Sequence, residues 1–218
     1  MTDLYEKPRK KLIKTLKQEG IHDPLVLEAI NLIPRESFLP PELHHRAYEN
    51  CALPIRNEQT ISQPFIVAFM TQALQLKPDE WVLEVGTGSG YQLAILAHIA
   101  YHVYSLERFA LLAKEASERL ASLNISNVDI HIGDGSQGLP DMSPFDAIMI
   151  TACAPRIPLN LVKQLHPEHG RMVLPVADQE GQALYYVKRD HDQWHATELL
   201  KVRFVPLIGK FGYDEPDT

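Results

Sequence analysis

The stretch Trp81–Tyr91, Trp-Val-Leu-Glu-Val-Gly-Thr-Gly-Ser-Gly-Tyr, most restricts what this chain can become. Val82, Leu83 and Val85 predict a short buried strand. Gly86, Gly88 and Gly90 then allow a sharp turn that lies close to a ligand, because no Cβ stands in the way. A helix opening near Tyr91 points its free N–H groups back across that turn. Strand, glycine turn and helix together form the first half-unit of a nucleotide-type α/β fold.

The rest of the chain alternates around this unit. Leu12, Ile13 and Leu16 predict a helix over 9–19 that stops at Gly20. Lys10, Lys11, Lys14 and Lys17 lie mostly on its other side and read as a solvated face. Asp23 is an N-cap and Pro24 a first-turn residue for a second helix, which ends before Pro34. Residues 34–55 read as irregular, with a short edge strand at 52–55. Next, Ser62 is expected to cap a helix with Pro64 in its first turn, carrying Phe65, Ile66, Phe69, Met70, Ala73 and Leu74 and ending near Pro78. That reading puts the polar tetrad 59–62 at a helix N-terminus, which favours an anion. Beyond the glycine turn, helices are expected at 91–100, 109–124 and 159–165. Strands are expected at 103–107, 128–132, 145–150 and 171–176, with two longer ones over 183–205. The pattern predicts an α/β chain with a doubly wound, mixed but mainly parallel Rossmann-like sheet and an N-terminal helical extension. One domain over 1–218 is expected, divided into a helical segment, 1–77, and a core, 78–218.

At 218 residues and 45% hydrophobic the chain suits one large domain with a real core. Its formal net charge of −7 argues against a nucleic-acid or anionic-membrane partner. Cys51 and Cys153 are far apart and form no CxxC, so a reduced cytoplasmic protein is expected. Residues 1–17 carry no apolar h-region, so no signal peptide is expected, and no apolar run is long enough to span a bilayer. His44-His45 and His166-x-x-His169 read as loop or surface residues. No metal site is expected.

Three acids bear on the turn's ligand. Glu107 ends the second strand, where a carboxylate can accept both hydroxyls of a ribose. Asp134 follows the third strand beside Gly135, where it can meet an adenine amino group. Glu84 lies inside the first strand, where an acid is expensive unless paired, and the local sequence offers no partner, so a ligand cation is expected. A dinucleotide requires a small residue at the sixth position of GxGxxG, and Tyr91 stands there. A P-loop requires Gly-Lys-Ser/Thr, which is absent. S-adenosylmethionine carries no phosphate; it has an ammonium, a carboxylate, a sulfonium and an adenosine, and an acid-flanked glycine turn, a ribose acid and an adenine-side Asp match those groups.

These residues carry a family resemblance. The chain resembles the protein-L-isoaspartate O-methyltransferases, which are S-adenosylmethionine-dependent. The matching runs are Ile33-Pro-Arg-Glu36, Ala52-Leu-Pro-Ile55, Gln59-Thr-Ile-Ser-Gln-Pro64, Val82 to Tyr91, Gly133-Asp-Gly135, Pro144-Phe-Asp-Ala-Ile148 and Val202-Arg-Phe-Val-Pro-Leu207. The resemblance implies methyl transfer from S-adenosyl-L-methionine to the free carboxylate of L-isoaspartyl residues in damaged proteins, leaving S-adenosyl-L-homocysteine. It implies Ser62 as the active-site serine, and Thr60, Ile61 and Ser62 with Val202, Arg203 and Phe204 as the peptide-binding residues. It also implies Glu84, Gly86, Thr87, Gly88, Glu107, Arg108, Asp134 and Gly135 as cofactor contacts. Segment 1–77 then lies on the substrate side. Isoaspartyl proteins and peptides are the expected partners of a cytoplasmic monomer. The family pattern has glycines where this chain has Arg56-Asn57-Glu58, a Gly-Gly pair where it has His169-Gly170, and a further glycine at Ala177.

The chemistry agrees with the absence of a catalytic dyad. A carboxylate is already ionised at neutral pH and needs no general base. Catalysis is then mostly placement. Two other readings share this fold: a methyltransferase with a different acceptor, and a catalytically silent cofactor-binding relative. Thr151-Ala-Cys-Ala-Pro155 lacks the Asp/Asn-Pro-Pro-aromatic run of an amino-methylating nucleic-acid enzyme.

Overall fold

The computed structural model describes residues 4–57 and 59–215; Glu58, in the Arg56-Asn57-Glu58 run noted above, lies outside them. Helix α1, Glu6–Gln18, begins three residues before the expected start and buries Leu12 and Leu16. Helix α2, Pro24–Leu32, is capped by Asp23, whose Oδ1 accepts from the N–H groups of Leu25 and Val26. Two 3-10 turns follow, Arg35–Phe38 and Pro41–Arg46. Strands β1, Leu53–Pro54, and β2, Thr60–Ile61, form a separate antiparallel ribbon. Helix α3, Pro64–Leu74, ends at Gln75 in the left-handed conformation.

Serine 62 is not the cap of α3. The N-cap is Gln63, with no side-chain cap bond. Pro64 at the first position has no N–H to satisfy, and the next free donor, Phe65 N–H, is taken by Asn50 Oδ1 at 3.0 Å. The cap comes from fifteen residues upstream. The tetrad 59–62 is therefore half strand, and its serine hydroxyl has no cap to make.

The core continues with β3, Trp81–Val85; α4, Tyr91–Ile99; β4, His102–Glu107; α5, Ala110–Ser122; β5, Val128–Ile132; β6, Ala147–Ile150; α6, Leu159–Val162; β7, Arg171–Asp178; β8, Gly181–Asp190; and β9, Gln193–Lys201. The strands form one seven-stranded sheet in the order β5-β4-β3-β6-β7-β8-β9. The first five of these pair in parallel, and β8 and β9 join antiparallel. Helix α6 is shorter than expected, and the last strand stops at Lys201, so 202–205 is not strand. Gln182 accounts for that end: its carbonyl accepts from Val202 N–H, and its side-chain amide bonds both the N–H and the carbonyl of Phe204.

Alternate residues of β3 face opposite sides of the sheet. Val82 joins a core that includes Leu12, Leu16, Leu93 and Val103, so the N-terminal helices share it with the sheet. Leu83 and Val85 face a second core with Leu106, Ile148 and Leu161. The buried pair Arg171–Glu80, at 2.6 Å, ties β7 to the turn before β3, and Arg171 also donates to the carbonyls of Leu74 and Gln75. This fixes the C-terminal end of α3 against the sheet.

Candidate active site

Strand β3 sits at the point where the connections leave for β4 on one side and for β6 on the other. In open α/β sheets, ligands bind at such a switch point, beyond the carboxyl ends of the strands. Here the glycine turn 86–90 occupies it. Gly86 N–H donates to Leu106 carbonyl at 2.8 Å. Thr151, at the end of β6, donates through its hydroxyl to the carbonyls of Val85 and Gly86 at 3.0 and 2.7 Å. Gly88 N–H donates to Glu107 Oε2 at 2.8 Å, and Phe109 N–H to Glu107 Oε1 at 3.0 Å. Each carboxylate oxygen keeps a further lone pair, so Glu107 can brace the loop and still accept ligand hydroxyls.

Above the turn lies a cavity of about 920 Å³, at the upper end of the roughly 300–1,000 Å³ usual for ligand sites. Its walls come from three distant stretches. The upstream wall holds Thr60, Ile61 and Ser62. The floor holds Gly86, Thr87, Gly88, Glu107, Arg108 and Gly135. The downstream wall holds Val202, Arg203 and Phe204. Twelve of the fourteen residues expected in the site thus meet around one space.

Ser62 is half-buried, and its hydroxyl bonds no described residue; its carbonyl accepts from Arg35. Arg108 pairs with Glu215 and stacks its cation 5.0 Å from the Phe109 ring. Arg203 stands exposed in the wall with no ion pair or hydrogen bond to a described residue.

Two acids are placed elsewhere. Glu84 is fully buried and does not line the cavity. Ser105, its register partner on β4, donates to Glu84 Oε2 at 2.5 Å and lies 2.6 Å from the Thr87 hydroxyl. The expectation that Glu84 lacks a protein partner is therefore corrected: the partner sits on the neighbouring strand. Glu84 Oε1 has no partner. Burial pushes this carboxyl up to about 8, against the Ser105 hydrogen bond, and the charge of Glu107 adds to the rise. Asp134 also lies outside the cavity lining, and its oxygens are committed. Oδ1 accepts from the Ser136 N–H and hydroxyl, Oδ2 from Gln137 and from the Lys210 N–H. Burial works to raise this carboxyl, but those donors together hold it below the usual carboxylate range. Its place is to anchor the C-terminal turn at 209–211, while the adjacent Gly135 reaches the cavity.

Residues to which the sequence gives no site role also matter. Thr151 braces the turn, and Asn57 holds the loop 56–57 at φ 57°, a left-handed conformation that Asn tolerates. Arg56 pairs with Glu115 at 3.2 Å. Among the described residues no three His, Cys, Asp or Glu side chains converge to hold a metal ion.

The turn fits an adenosyl cofactor on its own geometry. A Cβ at Gly88 would meet no atom within 4 Å, so the backbone there is bare towards the cavity. Comparison with known proteins gives the same direction. The family model for protein-L-isoaspartate(D-aspartate) O-methyltransferase matches residues 6–212. A protein-L-isoaspartate O-methyltransferase from Dictyoglomus turgidum is 48% identical over 211 residues, 97% of this chain and 96% of that one. One from Yersinia pestis is 50% identical over 205 residues, 94% of this chain and 98% of that one. A solved protein-L-isoaspartate O-methyltransferase superposes with a TM-score of 0.84 at 29% identity, covering 94% of this chain and 67% of the other. A Plasmodium falciparum structure of this kind, in complex with S-adenosyl-L-homocysteine, gives 0.80 at 25% identity, covering 92% and 98%. With the family model matched over residues 6–212 and relatives about half identical over nearly the whole chain, this chain belongs to the protein-L-isoaspartate(D-aspartate) O-methyltransferase family.

Proposed function

We propose that this chain transfers the methyl group of S-adenosyl-L-methionine to the free carboxylate of L-isoaspartyl residues in damaged proteins and peptides. The observation that carries this reading is the single cavity in which Ser62 and Val202–Phe204 face the glycine turn. The cofactor supplies an electrophilic methyl on a positively charged sulfur. Gly86, Thr87, Gly88 and Gly135 would form the floor beneath it, Glu107 would accept its ribose hydroxyls, and Arg108 would stand at its edge. The 60–62 and 202–204 walls hold the peptide.

No residue has to take a proton, because the acceptor carboxylate is ionised at neutral pH. What the chain contributes is placement, worth up to about 7–11 kcal/mol in favourable cases. The uncommitted Ser62 hydroxyl donates one hydrogen bond to the carboxylate and orients it. Ser62→Ala is expected to lower turnover by roughly ten- to a hundredfold, the weight of one hydrogen bond to a charged group, with S-adenosyl-L-homocysteine affinity unchanged by calorimetric titration. Loss of that affinity would place the serine in the cofactor site instead.

The chain works as a cytoplasmic monomer with neither nucleic acid nor membrane as partner; the net charge of −7 supports this. No described helix is long and apolar enough to cross a membrane. Residues 1–218 act as one catalytic unit, with 1–77 on the substrate side; the core shared between α1 and the sheet supports this. The deciding assay is labelled methyl transfer to an isoaspartyl peptide beside its aspartyl twin. Transfer to the first alone is expected; equal transfer to both, or none, rejects the reading.

A further inference from the structure

Arg35 is fully buried, and it makes no ion pair among the described residues. Burying a cation without a counter-ion is costly, and an apolar side chain of similar volume would serve packing better. The arginine instead bonds three carbonyls. Nη1 donates to Ala47 at 2.5 Å. Nη2 donates to Cys51 at 3.2 Å and to Ser62 at 2.9 Å. A rigid planar fork with several donors can hold three chain segments at once, which a point charge cannot.

The same residue reaches the other side of the site. Its guanidinium carbon lies 5.8 Å from the ring centre of Tyr91, the first residue of α4 after the glycine turn. Phe38, at the far end of Arg35's own 3-10 turn, packs edge-on against Tyr91 at 5.5 Å. One buried cation therefore touches the backbone of the peptide-side wall and the helix that carries the glycine turn.

We propose that Arg35 is a positioning residue for methyl transfer: through the Ser62 carbonyl and the Tyr91 ring it sets the distance between the Ser62 hydroxyl and the glycine turn. The proposal rests on the role given to Ser62 above. Arg35 touches neither cofactor nor peptide, and its effect passes through Ser62.

The test is a cycle of Arg35→Lys, Ser62→Ala and the double variant, assayed on isoaspartyl peptide. Lysine keeps the charge and three donors but gathers them on one nitrogen, so it cannot reproduce the planar two-nitrogen fork that spans these carbonyls. Turnover is expected to fall about tenfold in Arg35→Lys, with KM and S-adenosyl-L-homocysteine affinity nearly unchanged, because misplacement falls on kcat. The double variant is expected to lose no more than Ser62→Ala alone, since residues acting as a unit are not additive. Losses that multiply, a parallel fall in cofactor affinity, or full activity would each overturn the proposal. Should Arg35→Lys not fold, Arg35→Gln, which removes the buried charge and keeps an N–H donor pair, carries the same cycle. If the wild-type chain does not methylate the peptide, the proposed function fails, and amide hydrogen exchange decides on Arg35 alone. Exchange about tenfold faster at 59–62, with 86–92 unchanged, supports the positioning role; equal exchange in both segments rejects it.

Discussion

Gly88→Leu is expected to remove measurable cofactor binding from a chain that still folds. A Cβ at Gly88 would meet no protein atom within 4 Å, so a side chain there grows into the cavity rather than into the core. The backbone at Gly88 has φ +53°, and a non-glycine residue pays about 1–2 kcal/mol to stay in that left-handed region. The fold survives a loss of that size, and Gly88 N–H keeps its bond to Glu107. Affinity for S-adenosyl-L-homocysteine should fall at least about a hundredfold, because the added atoms occupy the volume where a ligand must approach the backbone. Gly86→Ala should do the opposite. There φ is +99°, and the new Cβ would stand 2.3 Å from the Thr151 hydroxyl oxygen. That hydroxyl cannot swing away without breaking its bonds to the carbonyls of Val85 and Gly86. Overpacking of about 1–3 kcal/mol adds to backbone strain of about 1–2 kcal/mol. A melting point lowered by about 5–15 °C is expected. Calorimetric titration and a thermal scan on both variants separate the two effects. Equal loss of stability, or retained affinity in Gly88→Leu, would show that the turn does not face the ligand as described.

Much of this could be read from local pattern, because local pattern records which residues a helix or strand buries. The alternation of helices and strands along the chain, the Asp23 cap and the extent of β5 follow from residues within a few positions of each other. The failures share a cause of another kind. Ser62 looks like a cap because a serine two residues before a proline usually is one, yet Asn50 takes the donor. Glu84 looks unpartnered because Ser105 is its neighbour only in the sheet register. Asp134 looks free for adenine because one of its donors is the backbone of Lys210. Residues 202–204 look like strand because their alternation is right, but a glutamine side chain on β8 supplies the bonds a strand would have supplied. Each is a side chain bonding across the fold, which periodicity does not record. Site membership was more legible than site chemistry. The cavity gathers almost all the expected residues, while the two acids assigned a charge role are held by hydroxyl and N–H donors inside the protein.

Glu84 leads to the sharpest dependence on pH. Its carboxyl moves from an ordinary 4.5 to about 8 on folding, chiefly because burial disfavours the charged form. Between these values the native state keeps a proton that the unfolded chain has already released. Stability therefore falls as pH rises through that window, and the loss is complete only above about pH 8. The full span corresponds to about 5 kcal/mol, at 1.36 kcal/mol for each tenfold change in proton affinity. Glu84→Gln removes the titration. Its amide keeps an acceptor for the Ser105 hydroxyl but places an NH2 where Oε1 already lacks a partner, costing about 1–3 kcal/mol at every pH. The two urea-stability curves should therefore cross: wild type the more stable at pH 5, Glu84→Gln the more stable at pH 9, with the difference changing by several kcal/mol between them. A difference that stays flat from pH 5 to pH 9 would mean that Glu84 is already ionised in the folded chain. A charge at that position would then have to be met by a cation from the cavity side, as the sequence first suggested. A crossing would leave Glu84 as a neutral brace that holds Thr87 through Ser105, with Glu107 as the acid that faces the ligand.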